Sequence, residues 1–453
     1  MSAAETAFAS LCEAAMAMRA QAQAFRLPAA PAGRVEAFDG QVLKVAGLAL
    51  SPGALVRVEG EGGTIAAEAI GFSGEDLLLM ALERGPVAPG AIAVAEGRRD
   101  EVSVGHGLLG RVADGLGQPI DGRGPILGHG AVPLEGVPLP PLSRSEVHEA
   151  VATGVRAIDA LLTLGRGQRI GLFAGSGVGK STLMLDLVAG IDADVRVVAL
   201  IGERGREIAG FVDRMTEASR ARTHVVAVPA DAAPALKLRG VKRALAVAEG
   251  FRAEGAQVLF VLDSLTRVAH AAREIGLSAG EPAGLRGYPA SALALMAQLV
   301  ERAGNDRGSG GSVTAVFTVL ADGDDLVADP VVDAARGVLD GHILLTREAA
   351  TRGRFPAIDP TLSISRTMDA CVTPAHRAAA RAFVADAALV EANRDLLAMG
   401  AHVPGQDAAL DRALGRQGAI EALLRQRPGA PVAFGESLAA LFAIWGEAGE
   451  GAA

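Results

Sequence analysis

Four hydrophobic textures follow one another along the chain. In residues 1–26, Phe8, Leu11, Ala15, Met18 and Ala22 recur every three or four positions, the period of a helix with one apolar face. Pro28, Pro31 and Gly33 end that pattern. Short β-like runs then stand between glycines: Val42-Leu43-Lys44-Val45, Leu55-Val56-Arg57-Val58, Thr64-Ile65-Ala66-Ala67 and Leu77-Leu78-Leu79-Met80. Their spacing of roughly ten residues, with turn signals between, predicts a small closed β-barrel. Further on, apolar runs at 195–201, 224–228, 258–262, 313–320 and 342–345 alternate with helical stretches. That alternation predicts a largely parallel sheet covered on both faces. From about residue 373 the pattern is helical, with breaks at Gly400, Pro404-Gly405 and Pro428-Gly429, and Leu441 and Trp445 are expected to seal a helical core. The expected domains are 1–28, 29–104, 105–372 and 373–453. They are respectively an amphipathic partner-docking helix, an assembly barrel, the domain that carries the chemistry, and a helical domain.

The chemistry centres on Leu172-Phe173-Ala174-Gly175-Ser176-Gly177-Val178-Gly179-Lys180-Ser181-Thr182. An apolar strand, a glycine-rich turn and a helix start expose consecutive backbone N–H groups at the positive end of a helix, a cradle for polyphosphate. Gly175, Ser176, Gly177, Val178, Gly179, Lys180, Ser181 and Thr182 form that cradle. Lys180 is placed to reach the β- and γ-phosphates, and Ser181 to put its hydroxyl on Mg²⁺. The strict pattern asks for glycine at 174, where this chain has Ala174. The run Val258-Leu259-Phe260-Val261-Leu262 ends in Asp263, which a parallel sheet delivers beside the loop to hold Mg²⁺ through water. Ile201-Gly202-Glu203-Arg204-Gly205-Arg206-Glu207 follows another strand. A carboxylate there can polarise an attacking water, or the segment is a surface loop of solvated charges; its residues alone leave both readings open.

Composition narrows the picture. A chain of 453 residues with 3% aromatics and 50% hydrophobic residues, many of them alanine, suits a helix-rich α/β protein. A formal charge of −9 argues against a nucleic-acid-binding surface covering the molecule, while leaving room for a local basic rim at a pore or a lipid contact. The longest apolar stretch, around 290–300, contains Ser291 and Gln298 and falls short of a membrane span. Glu5 and Glu13 near the start do not fit a secretory signal. Cys12 and Cys371 lack metal-ligand spacing, so a reduced, cytoplasmic chain is expected. The eight histidines are scattered with no H-x-x-H pair, and a histidine metal site is not expected.

The loop, Gly202-Glu203-Arg204-Gly205-Arg206-Glu207, Asp263-Ser264-Leu265-Thr266-Arg267, Arg286-Gly287-Tyr288-Pro289 and Ser363-Ile364-Ser365-Arg366 together resemble one family. It is the type III secretion and flagellar protein export ATPases, relatives of the catalytic (β-type) subunits of rotary ATP synthases. Leu108 to Gly122 and Gly165-Arg166-Gly167-Gln168-Arg169 fit the same pattern, and the resemblance spans about residues 30–430. It implies a P-loop NTPase core (RecA-like, α/β, mostly parallel sheet) between a small N-terminal β-barrel and a C-terminal helical domain. Glu203 matches the carboxylate that activates the hydrolytic water, and Arg204 a residue near the γ-phosphate. Arg366 matches an arginine finger acting in trans on a neighbour's nucleotide, and Phe355 the aromatic that stacks on adenine. Tyr288, the only tyrosine, matches a loop facing a ring pore, with simple packing as the alternative. Val268 and Ala290 depart from the family's usual Tyr and Pro.

The resemblance implies a cytoplasmic homohexamer, peripheral to the inner membrane, that uses ATP and Mg²⁺ to drive protein export by releasing chaperones and unfolding or loading substrates. Implied partners are further copies of the chain, a regulator or stator protein at the N-terminal helix, a stalk protein in the pore, the export gate, chaperones and export substrates, with association with acidic lipid. Two other readings stand beside it. One is the catalytic subunit of a rotary synthase, disfavoured by Gly205 where that subunit carries Thr. The other is a Rho-like nucleic-acid translocase, disfavoured by the acidic balance and an aromatic-poor barrel.

Overall fold

The computed structural model describes residues 30–60, 63–83, 85–96, 101–175, 177–320 and 329–446. The helix expected over 1–28, Cys12 and Ser176 lie outside the described residues. The chain divides into two compact units, Met1–Arg99 and Asp100–Ala453.

In the first unit, β1 (Ala32–Phe38), β2 (Val42–Ala46), β3 (Leu55–Gly60), β4 (Gly63–Ser73), β5 (Asp76–Ala81) and β6 (Ile92–Ala95) close into a barrel. Their order around it is β1-β2-β5-β4-β3-β6. Alternation sets the inside: Leu43 and Val45 are buried with Val56, Val58, Leu77 and Leu79, while Lys44 between them points out and pairs with Asp76 at 2.8 Å. Bulges between Val35 and Ala37 and between Ala69 and Gly71 give the extra bend that closure needs. The barrel expected from the sequence is present.

The second unit is built on a sheet whose main strands we number β7 (Val112–Ala113), β8 (Arg169–Ala174), β9 (Val195–Glu203), β10 (Thr223–Pro229), β11 (Gln257–Asp263), β12 (Ser312–Leu320), β13 (Gly341–Leu345) and β14 (Ile364–Ser365). They lie in the order β14-β13-β8-β12-β11-β9-β10-β7. All neighbours run parallel except β14, which is antiparallel to β13. Residues of alternate parity along β9, β11 and β12 face opposite sides, so each strand feeds two cores. Val197, Ala199, Ile201, Phe260 and Phe317 pack with the helices Pro234–Ala253, Leu265–Ser278, Ala290–Glu301 and Pro330–Val338. Val198, Leu200, Val261 and Val316 pack with the helices Arg156–Leu161, Lys180–Gly190 and Gly205–Arg214. Both faces are covered, as continuous apolar strands require.

The C-terminal helices join the second of these cores. Phe383, Ile420, Leu423, Leu441 and Trp445 are buried in one cluster with Ile158 and Leu161 of the helix just ahead of β8. Trp445 packs edge-on to Phe383 with ring centroids 4.8 Å apart, and its Nε1 donates to Asp386 at 2.9 Å. Arg416 donates to the same carboxylate at 2.9 Å, so this buried acid has both a cationic and a neutral donor. Tyr288 is also core: it is 6% exposed, its ring lies 6.2 Å from that of His270, and the Arg273 guanidinium sits 5.0 Å from its centroid. Within the single chain, Tyr288 packs into the core of the second unit.

Trp445→Ala removes the largest fully buried side chain and strands Asp386 without its indole donor. It should cost about 3–5 kcal/mol, read as a lower urea midpoint for the second unit. A loss below about 1 kcal/mol would mean that the terminal helices do not brace this core.

Candidate active site

The parallel register brings the carboxyl ends of β8, β9, β11 and β12 to one edge of the sheet, where ligands bind in such folds. Ala174, the last residue of β8, pairs in register with Leu320 and Leu345 and is fully buried. Its methyl is core, which explains why alanine serves where the strict motif has glycine. Gly177 and Gly179 have φ of +81° and +96°, a left-handed backbone that glycine adopts without strain. Gly179 is the N-cap of the helix Lys180–Gly190 and offers no side chain to its first turn. The free N–H groups there are the loop's anion-binding donors.

Two buried carboxylates face Lys180. Asp263 ends β11 and Glu203 ends β9, three residues past the point where Leu200 pairs with Asp263. They are 4% and 8% exposed. The Lys180 Nζ contacts Asp263 Oδ1 and lies 3.7 Å from Glu203 Oε1. Thr318 of β12 donates to Asp263 Oδ1 at 2.6 Å. Glu203 Oε1 is buried and has no hydrogen-bond partner. Burial pushes the Glu203 carboxyl above its ordinary pKa and the charge of Asp263 pushes it further, with Lys180 pulling the other way. Gly202 sets this position: its φ is +76°, and a Cβ there would lie 2.8 Å from the Arg267 side chain.

Two cavities adjoin the loop. One, of about 400 Å³, is lined by Ser181, Glu203, Asp263, Arg206, Glu207 and Phe211 among others. The second, of about 260 Å³, lies between Val178, Gly179 and Thr182 on one side and Phe355, Pro356 and Gln426 on the other. The Phe355 ring is 41% exposed, and its edge comes 3.7 Å from the Cβ direction of Gly179. Gln426 holds this wall in place: its N–H donates to the Phe355 carbonyl at 2.8 Å and its side-chain amide to the Gly154 carbonyl at 2.7 Å.

The residues singled out from the sequence therefore fall into three sets. Ser181, Glu203 and Asp263 line the first cavity, with Lys180 against the two carboxylates, and Val178, Gly179, Thr182 and Phe355 line the second. Arg204 is exposed, and its guanidinium donates to Glu207 at 3.4 Å. Arg366 lies at the other edge of the sheet: it follows β14, which pairs with the first residues of β13, and its N–H donates to the Asp340 carbonyl at 2.9 Å. Its guanidinium donates to the carbonyls of Leu339 and Arg336, closing the end of the helix Pro330–Val338. Asp340 is level with Arg169, so five strand residues, about 16 Å, separate this point from Ala174. An arginine side chain does not span that distance to its own Lys180. Thr318 and the Arg206–Phe211 wall were not anticipated. A threonine one turn of the pleat from the end of the apolar run Val316-Phe317-Thr318-Val319 was the available signal.

Residues 154–365 match the ATP synthase alpha/beta family, nucleotide-binding domain, and residues 372–443 match the T3SS EscN ATPase C-terminal domain. The chain is 46% identical over 409 residues to the flagellum-specific ATP synthase of Salmonella typhimurium, covering 87% of this chain and 89% of that one. It is 42% identical over 399 residues to the type 3 secretion system ATPase of Xanthomonas euvesicatoria, covering 87% of this chain and 89% of that one. Among solved structures it is similar to the assembled ATPase EscN of the enteropathogenic E. coli type III secretion system, with a TM-score of 0.86, 36% identity and coverage of 91% of this chain and 99% of that one. EscN in complex with its central stalk EscO matches with a TM-score of 0.83 and 35% identity over the same shares. Among the described residues no helix is long and apolar enough to cross a membrane. With relatives of this identity along most of its length, and the loop and carboxylates set around one cavity, the chain belongs to the ATPase family of flagellar and type III secretion systems.

Proposed function

We propose that the protein hydrolyses ATP as a homohexameric ring whose sites are completed between neighbours, and that turnover drives protein export through a flagellar or type III secretion apparatus. One observation carries the ring reading: the loop with Glu203 and Asp263 lies at one edge of the sheet, and Arg366 at the other. In a head-to-tail ring the trailing edge of one subunit meets the leading edge of the next. The export role rests on the relatives, whose names are those of flagellar and type III secretion ATPases.

Lys180 and the loop N–H groups hold the β- and γ-phosphates, and the adenine lies in the second cavity against Phe355. Ser181 and Asp263 fit a divalent cation: both are oxygen donors of the kind Mg²⁺ takes, on one cavity with the unpartnered Glu203 oxygen. Such an ion would offset phosphate charge. Glu203 accepts a hydrogen bond from the attacking water, orients it and takes its proton; a raised pKa suits a base working near neutral pH. Arg366 of the neighbouring subunit neutralises charge developing on the transferred phosphoryl group, and Arg204 stands at the rim of that junction. A stalk in the ring pore, as EscO is to EscN, a regulator on residues 1–28, the export gate, chaperones and acidic lipid at the cytoplasmic face of the inner membrane complete the assembly we envisage.

Glu203→Gln keeps the shape and removes the base. Turnover should fall by about 10²–10⁴-fold while binding of a fluorescent ATP analogue stays within a factor of a few; retention of a tenth of wild-type turnover would exclude Glu203 as the base. Because the Glu203 pKa is raised and the base must be ionised, wild-type kcat should decline as pH falls through that pKa. The residual rate of Glu203→Gln should lack this acidic limb. Arg366→Ala should lower turnover by about 10³-fold or more without weakening nucleotide binding. Wild-type specific activity should climb with chain concentration in step with the mass of the assembly. Full activity in the monomeric fraction would overturn the shared site.

A further inference from the structure

The structure places two histidines from distant turns beside a glutamate, on the second unit and outside the site described above. His106 and His129 each sit in a Gly-His-Gly tripeptide, Gly105-His106-Gly107 and Gly128-His129-Gly130. The strand Glu101–Val104 pairs antiparallel with Gly130–Pro133, and the His129 N–H donates to the Val104 carbonyl at 3.0 Å. Both tripeptides therefore lie at the same end of this ladder. Their glycines make the approach possible. Gly105 has φ of +131°, and a Cβ on it would lie 2.3 Å from the His129 ring; one on Gly107 would lie 2.0 Å from the Leu127 carbonyl, and one on Gly128 2.1 Å from Ser103 Oγ. The rings of His106 and His129 are nearly parallel, 6.1 Å apart, and His106 is further held edge-on to Phe251 at 5.8 Å. Glu254, at the end of the helix Pro234–Ala253, brings its Oε1 within 3.5 Å of His129 Nε2.

From this geometry we infer that His106, His129 and Glu254 bind one divalent transition-metal ion of the zinc class. One ligand atom from each lies within 4.8 Å of the others. Ligands at zinc–nitrogen and zinc–oxygen distances stand about 3.3–3.5 Å apart around a tetrahedron, a spacing the His129–Glu254 pair already has. All three side chains are exposed, so small rotations bring the His106 nitrogen in at little cost. Two imidazoles and a carboxylate are a borderline donor set that selects zinc-class ions over Mg²⁺. Three protein ligands leave further positions to water. The ion fastens the segment 101–133 to the end of the helix Pro234–Ala253, which packs on the central sheet, and so stiffens this side of the second unit.

The test uses the full chain, stripped of metal and titrated with ZnCl₂ in excess Mg²⁺, which keeps Asp263 and Glu203 from competing. The expected result is one zinc per chain above whatever the His106→Ala/His129→Ala double variant binds, an affinity at least tenfold weaker in Glu254→Gln, and a rise in thermal midpoint with zinc that the double variant lacks. The three positions are exposed, so circular dichroism of the variants should match the wild type and exclude misfolding as the cause. Equal zinc uptake by wild type and double variant, or one zinc bound with no response to any of the three substitutions, would reduce the cluster to an ion pair beside a stacked ring and overturn the inference.

Discussion

The site rests on one cation. The Lys180 ammonium lies against Asp263 and 3.7 Å from Glu203, and both carboxylates are buried. Two acids that close in a poorly solvated pocket cannot both stay ionised without a positive charge between them. The surrounding fold satisfies the three groups unequally. Asp263 has Lys180 and the Thr318 hydroxyl, whereas Glu203 has a buried oxygen with no donor. That inequality distinguishes the two: the well-satisfied acid is held in place by its partners, whereas the under-satisfied one, its pKa raised by burial, keeps an oxygen open to a water. Strand length creates the difference. β9 runs three residues beyond its register partner on β11, so Glu203 overhangs the edge that Asp263 only reaches.

A second constraint is the direction of the strands. Parallel strands collect every carboxyl end on one edge, and β14 returns antiparallel to the opposite one. Arg366 is anchored there by two helix-end carbonyls and is exposed at the surface of the single chain. In the proposed ring the chain therefore carries both halves of a catalytic site and presents them to different neighbours.

Much of this was legible in the sequence, for reasons that can be named. The loop could be read because its function is local: glycines with positive φ, a lysine and a helix start stand within a few residues of one another. Asp263 could be read because the phosphate loop lies upstream: an apolar run ending in an acid is common by itself, but in a parallel sheet beside such a loop it delivers the acid to the same edge. Glu203 could not be separated from a solvated loop until its resemblance was considered, because its burial depends on Gly202, Arg267 and the overhang of β9. Thr318 escaped notice because a threonine within a strand is ordinary. The two Gly-His-Gly turns were missed for a different reason. A search by helical spacing finds ligands three or four residues apart, whereas this ladder joins His106 to His129 and a helix end supplies Glu254.

The proposed ring requires that no single chain holds a complete catalytic site. Mixing two inactive chains tests it directly. Lys180→Ala lacks the loop's cation but retains Arg366, and Arg366→Ala lacks the finger but retains the loop. In an equimolar mixed ring, about a quarter of the junctions pair an intact loop with an intact finger. The mixture should therefore regain turnover approaching that fraction of wild type. Turnover equal to the mean of the two separate chains, under conditions where mixed rings are shown to form, would contradict it.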